Sequence, residues 1–124
     1  MKTFLAVFTG TARSLERSGW HSLDELKRQE RQREGIRAWT AWVERNQPAI
    51  LNFGSPLGKT KCVSHAGVRD CKNALTAYVV IQAPSHEAAA ALFEGHPHFT
   101  IFPGDSVEVM ECLPIPSIEA GQQP

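Results

Sequence analysis

The 124 residues suffice for one domain with one core, and 42% hydrophobic against 21% charged residues is the composition of a globular chain, not a disordered one. Thirteen Lys and Arg balance thirteen Asp and Glu. The missing basic surplus argues against nucleic acid as a partner, because phosphate contacts supply most of such affinity, and a neutral chain sets little self-repulsion against self-association.

The first strand is expected over residues 2–9, with Leu5 and Val7 on one side and Phe4, Ala6 and Phe8 on the other. Both sides are apolar, as in a central strand. The apolar run Phe4–Phe8 is too short for a secretory segment, and no stretch approaches the ~18 apolar residues of a bilayer span. A cytoplasmic location with no membrane partner is expected. A polar loop with Gly10, Gly19 and Trp20 follows. Ser22-Leu23-Asp24-Glu25 has the form of a capping box and opens a helix. Its charges alternate in sign from Lys27 to Glu34, the pattern of a solvated face. The apolar stripe is Leu23, Leu26, Ile36, Trp39, Trp42 and Val43; Gly35 is placed to bend the helix, and Asn46-Gln47-Pro48 ends it.

Ala49 to Phe53 reads as a bend, Gly54, Pro56 and Gly58 as a turn, and Lys59 to His65 as the second strand. Ala66 to Asn73 reads as a loop. Leu75 to Gln82 is the strongest strand signal, with Leu75, Ala77, Val79 and Ile81 on an apolar face and Thr76, Tyr78, Val80 and Gln82 on an amphipathic one. Ser85 suits the N-cap of a second helix, Ala88, Ala89, Leu92 and Phe93 its core stripe, and Gly95 its C-terminal cap. Pro103-Gly104-Asp105 marks a turn, and Val107 to Cys112 the last strand. Residues 1–116 read as the domain and 117–124 as a loose tail, in a stretch rich in Pro, Gly and Gln.

Strand, helix, strand, strand, helix, strand is the split β-α-β order. It predicts an α+β, ferredoxin-like β-α-β-β-α-β sandwich on a four-stranded antiparallel sheet. Two helices cover one sheet face. The other, with Tyr78 and Val80, is left apolar, and a two-fold copy of the same chain is the commonest cover. A homodimer is therefore expected.

His96 and His98 flank Pro97 beyond the second helix. A histidine titrates near neutrality and suits acid–base work or a ligand anchor; one at a helix end also caps free carbonyls. Asp70 and Asp105 are the candidate carboxylate partners, although Asp is common beside glycine turns for backbone reasons alone. The catalytic candidates are His96, His98 and Asp70. The ligand-binding candidates are Lys61, which suits an anion or guards a strand edge; Tyr78 and Gln82, which suit a small ligand or an interface; and Trp20, which suits a lid. Trp39 and Trp42 share a helix face and read as packing. No spacing among His65, His96 and His98 fixes a metal geometry, and no nucleotide or flavin fingerprint occurs, so no metal and no cofactor is expected. Cys62, Cys71 and Cys112, odd in number and without C-x-x-C spacing, read as free thiols.

Several blocks together resemble the YCII-related family, in particular its DGPF-type branch. They are Gly54 to Ser64, Gly67-Val68-Arg69-Asp70, Leu75 to Val80, Ala83 to Gly95 with His96-Pro97-His98, and Val107-Glu108-Val109. The resemblance covers about residues 3–116. It implies a ferredoxin-like fold that dimerises through its sheets into a dimeric α/β barrel. It also implies a cleft of catalytic use in members that carry a His–Asp pair. In those members the His lies in the first helical region; here Asp24 to Arg45 holds none, so the pair does not carry over and enzymatic activity is left open. Two functions follow: a small-molecule site with cofactor-independent acid–base chemistry near the dimer interface, or a non-catalytic dimeric regulatory or scaffolding module.

Overall fold

Alternation along three strands decides the layers of this computed structural model, which describes residues 1–116; the expected loose tail, 117–124, lies outside the described residues. The chain runs β1 (Lys2–Thr9), α1 (Ala12–Ser18), α2 (Glu25–Asn46), β2 (Ile50–Pro56), β3 (Thr60–Ser64), β4 (Gly67–Cys71), β5 (Leu75–Ala83), α3 (His86–Ala91), α4 (Pro97–Thr100) and β6 (Ser106–Glu111). β2, β5, β1 and β6 form one antiparallel sheet in that spatial order. With β3 and β4 set aside, the element order and strand order are those of the ferredoxin-like fold, as expected from the sequence.

In β1, Phe4, Ala6 and Phe8 stand opposite Ile81, Val79 and Ala77 of β5, and Ala6 and Phe8 opposite Val109 and Val107 of β6. These residues form the core with Trp42 of α2 and with Ala89 and Phe93 in and just after α3. The alternate residues Leu5, Tyr78 and Val80 fall on the face away from the helices and are only half-buried in the single chain. Among the described residues no helix is long and apolar enough to cross a membrane.

Three local expectations are corrected. The second sheet strand is Ile50–Pro56, not Lys59–His65. Its pairing with β5 shifts register twice, between Ile50 and Asn52 and between Asn52 and Ser55, which breaks the period of two that marks a strand in sequence. The segment read as strand two is instead β3, paired with the supposed loop 66–73 as a separate two-stranded hairpin in which Val63 faces Val68. Secondly, the polar loop after β1 holds α1. Thr11 accepts from the Ser14 amide at 3.1 Å while Ser14 Oγ accepts from the Thr11 amide at 2.8 Å. That is a reciprocal cap built with Ser in place of Glu or Gln. Thirdly, the N-cap of α2 is Asp24, whose carboxylate accepts from the Lys27 amide at 2.8 Å, not Ser22. Of the expected stripe, Leu26 and Ile36 are exposed, while Trp39, Trp42 and Val43 face the core.

Candidate functional site

The long helix α2 does not close fully on the sheet. A cavity of about 250 Å³ lies between it and the β2–β5 edge, lined by Phe8, Trp39, Trp42, Phe53, Gly54, Tyr78 and neighbours. A second, of about 450 Å³, is lined by Ile36, Trp39, Thr40, Pro56, Thr76, Ala77, His98 and Phe102. Trp39, Pro56 and Ala77 belong to both walls. The two spaces are thus neighbours across the Trp39 indole, and their walls are mostly apolar.

α4 brings His98 into the wall of the second cavity and seats His96 behind Trp39, lining neither space. Pro97 occupies the first turn, where its missing N–H costs nothing, and His96 is the N-cap: its Nδ1 accepts from the His98 amide at 3.0 Å. The expectation that these residues cap the end of the preceding helix from solvent is overturned, since His96 is 1% and His98 8% exposed. A ring of aromatics encloses His96, with Trp39 at 4.5 Å, Trp42 at 4.9 Å, Phe8 at 5.2 Å and Phe93 at 5.9 Å between ring centroids. Burial, and secondarily the charge of His98, pull its pKa down from 6.5 to about 4, so the ring is neutral near pH 7. With Nδ1 accepting, the proton sits on Nε2, and that buried N–H has no hydrogen-bond partner among the described residues. An orphaned buried donor costs roughly 1–3 kcal/mol, and such a group calls for a reason.

His98 is held differently. Its Nε2 donates to the Thr9 carbonyl at 2.7 Å, which leaves the lone pair on Nδ1, a nitrogen with no protein partner among the described residues. Burial lowers its pKa, while the Thr9 bond and the charge of Asp105 act the other way. The same Thr9 carbonyl accepts from the Asp105 amide at 2.8 Å, and Arg17 holds the Asp105 carboxylate at 2.6 Å. A neutral imidazole with a fixed tautomer and a free lone pair is the form required of a general base.

Two glycines make this packing possible. A Cβ on Gly104 would collide with the His98 ring, and one on Gly35 with the Phe102 ring. Gly35 gives Phe102 a seat on α2. Phe102 in turn lies 6.2 Å from Trp39 and 6.3 Å from Trp20. Trp20, expected as a lid, thus stands behind a wall residue of the second cavity.

The other candidates fall elsewhere. Asp70 pairs with Lys61 at 2.6 Å on the β3–β4 hairpin, both largely exposed, so the carboxylate beside the histidines is Asp105. Lys61 and Asp70 border a different hollow, with Lys59 and Lys72. Gln82 donates to the Pro48 carbonyl at 3.1 Å, and Tyr78 shares the face of Val7, opposite the helices, while contributing to the wall of the first cavity. Thr9 and Phe102 carry no sequence signal of their own, and Gly104 shows only as part of a turn. Asp105 carries a weak one, the Pro-Gly-Asp turn that sets it one residue after the glycine under His98.

No protein-family profile and no curated protein sequence matches the chain. Among solved structures it is similar to 5-chloro-2-hydroxyhydroquinone dehydrochlorinase TftG from Burkholderia phenoliruptrix AC1100, in complex with 2,5-dihydroxybenzoquinone. The TM-score is 0.51 and the identity 16%, over 87% of this chain and 90% of that one. At that identity the likeness speaks for architecture alone, and what it establishes is that this chain shares the α+β fold of the TftG chain.

Proposed function

We propose that the cleft between α2 and the sheet binds a small, mainly apolar, ring-sized molecule, and that His98 exchanges a proton with it without a cofactor. The observation that carries this reading is His98 itself: a buried, neutral imidazole, its Nε2–H tied to Thr9, its Nδ1 unclaimed, in the wall of an otherwise apolar cavity of about 450 Å³. Apolar walls with few convergent polar groups are the usual make-up of a small-molecule site. The fold also accommodates a six-membered ring in TftG, whose complex holds 2,5-dihydroxybenzoquinone. A base on Nδ1 would take a proton from an acidic O–H or C–H of the ligand and return it later. A filled cleft with solvent-facing histidines would support the regulatory or scaffolding alternative; the open cavities and the burial of both imidazoles favour the small-molecule reading instead. Within this reading the chain belongs to the YCII-related family.

Native mass spectrometry of the purified protein, followed by calorimetric titration with phenol, a ring whose acidic O–H stays un-ionised near pH 7, tests the reading. Binding by the wild-type chain and at least about tenfold weaker binding by His98→Phe is the expected result. No co-purified molecule, together with no heat from the titrant, contradicts it.

The same proposal includes a homodimer closed over the free sheet face, where Leu5, Tyr78 and Val80 are half-buried in the single chain and Met110 is exposed. A carboxylate placed in that layer loses several kcal/mol of hydration with nothing to replace it. Tyr78→Glu is therefore expected to sediment as monomer or aggregate in ultracentrifugation. A folded, fully dimeric variant refutes this placement.

A further inference from the structure

We infer that the two cavities beside α2 are one pocket divided by the Trp39 indole, and that its buried end recognises a carbonyl oxygen on a planar, uncharged ligand through the Nε2–H of His96. The inference deepens the small-molecule reading above and rests on it.

Three observations meet at this point. The first is the orphan: His96 is 1% exposed, its Nδ1 is already engaged by the His98 amide, and its Nε2 has nothing to bond. A folded chain keeps such a donor where a ligand or a mechanism uses it. The second is the position of Trp39. Its ring stands perpendicular to His96 at 4.5 Å, walls both cavities and is itself only half-buried. His96 lines neither space as it stands, so contact with a ligand there requires Trp39 to turn aside and open the shared wall to the imidazole. The third is the chemistry of the surroundings. Phe8, Trp39 and Trp42 supply flat apolar surfaces that favour an aromatic body. The carboxylate whose charge acts on His98, Asp105, is already paired with Arg17, and among the described residues neither cavity has a charged side chain in its wall. An anionic ligand would be buried without a counter-charge, which is costly. A neutral N–H donor facing an uncharged pocket selects a neutral acceptor, and a carbonyl oxygen is the strongest one an otherwise apolar ring can carry. His96 is then the recognition group and His98 the proton-exchanging one.

Two probes of the same size separate this role from mere packing: acetophenone, which carries a carbonyl, and ethylbenzene, which does not. Binding to the full chain is followed by histidine-selective ¹⁵N NMR. Acetophenone should bind at least about tenfold tighter and move the His96 Hε2 resonance downfield, while ethylbenzene leaves it in place. His96→Phe should erase the preference while keeping ethylbenzene binding. Should that variant fail to fold, the wild-type Hε2 shift decides alone. Equal affinities, or an unmoved Hε2 resonance with acetophenone bound, overturn the inference and leave the cleft standing, because the N–H is then satisfied by the face of a neighbouring ring. If neither probe perturbs Trp39 or His98, the cleft reading falls and this inference with it.

Discussion

Trp42→Ala should lower the stability of the fold by about 3–5 kcal/mol, the usual loss when a large buried aromatic is cut back to a methyl group. Trp42 is 4% exposed and lies at the centre of the core, 5.1 Å from Phe93 and 4.9 Å from His96 between ring centroids. Its indole N–H also donates to the Leu92 carbonyl at 2.7 Å. That bond ties α2 to the chain leaving α3, alongside the packing of the indole on Phe93 and His96. Trp42→Phe separates the two contributions. It keeps most of the ring but leaves Leu92 without its donor, so about 1–3 kcal/mol of the loss should remain. Urea unfolding of the three proteins measures both steps. If Trp42→Phe is as stable as the wild type, the Leu92 bond contributes nothing and the helix is positioned by packing alone. Since Trp42 also walls the first cavity, the alanine variant enlarges the pocket at the same time, and its ligand preference should shift toward bulkier rings.

How much of this was legible beforehand depends on whether a residue's role is local. Phe4, Ala6 and Phe8 alternate with Leu5 and Val7, Ala77, Val79 and Ile81 with Tyr78 and Val80, and these patterns predict two central strands whose faces the structure confirms. Ser85 takes the N-cap of α3 as its residue type suggests, accepting from the Ala88 amide at 3.1 Å. The second sheet strand was hidden because two register shifts remove its period. The β3–β4 hairpin misled for the opposite reason: Val63 and Val68 alternate as strand residues do, yet their partner is each other, and both are mainly exposed. The site was visible only as a pair of histidines around a proline. What makes them a site comes from remote positions: Thr9 lies 89 residues from His98 in the chain, Trp39 and Phe8 arrive from other elements, and Gly104 matters only because the imidazole lies against it. None of these relations leaves a periodic trace. Asp70 illustrates the same limit, since its nearest cation, Lys61, becomes apparent only once the hairpin register is known.

Acidification should cost the fold roughly 3 kcal/mol between pH 7 and pH 4 through His96 alone. In the unfolded chain this imidazole titrates near 6.5, and in the folded one at about 4, because charging it beside four aromatic rings forfeits its hydration. Between those two values the unfolded chain binds the proton and the folded chain does not, so each step down in pH favours unfolding. The stability is fully present above about pH 6.5, is lost progressively as pH falls to about 4, and changes little through this group below that. His98, lowered by burial as well, acts in the same direction. Carboxylates titrate over part of the same range, so the decisive comparison is with His96→Asn, which cannot titrate and keeps an acceptor for the His98 amide. Urea unfolding at about pH 7, 5.5 and 4 should show the variant losing markedly less stability than the wild type; parallel losses would remove His96 as the source. The same proton accounting bears on ligand binding. A carbonyl that accepts from the Nε2–H binds only the folded form, and it removes the orphaned donor that makes the empty pocket costly. A bound ketone should therefore raise the unfolding midpoint at pH 7, and the acid transition should move to lower pH with the logarithm of the ligand's excess over its dissociation constant.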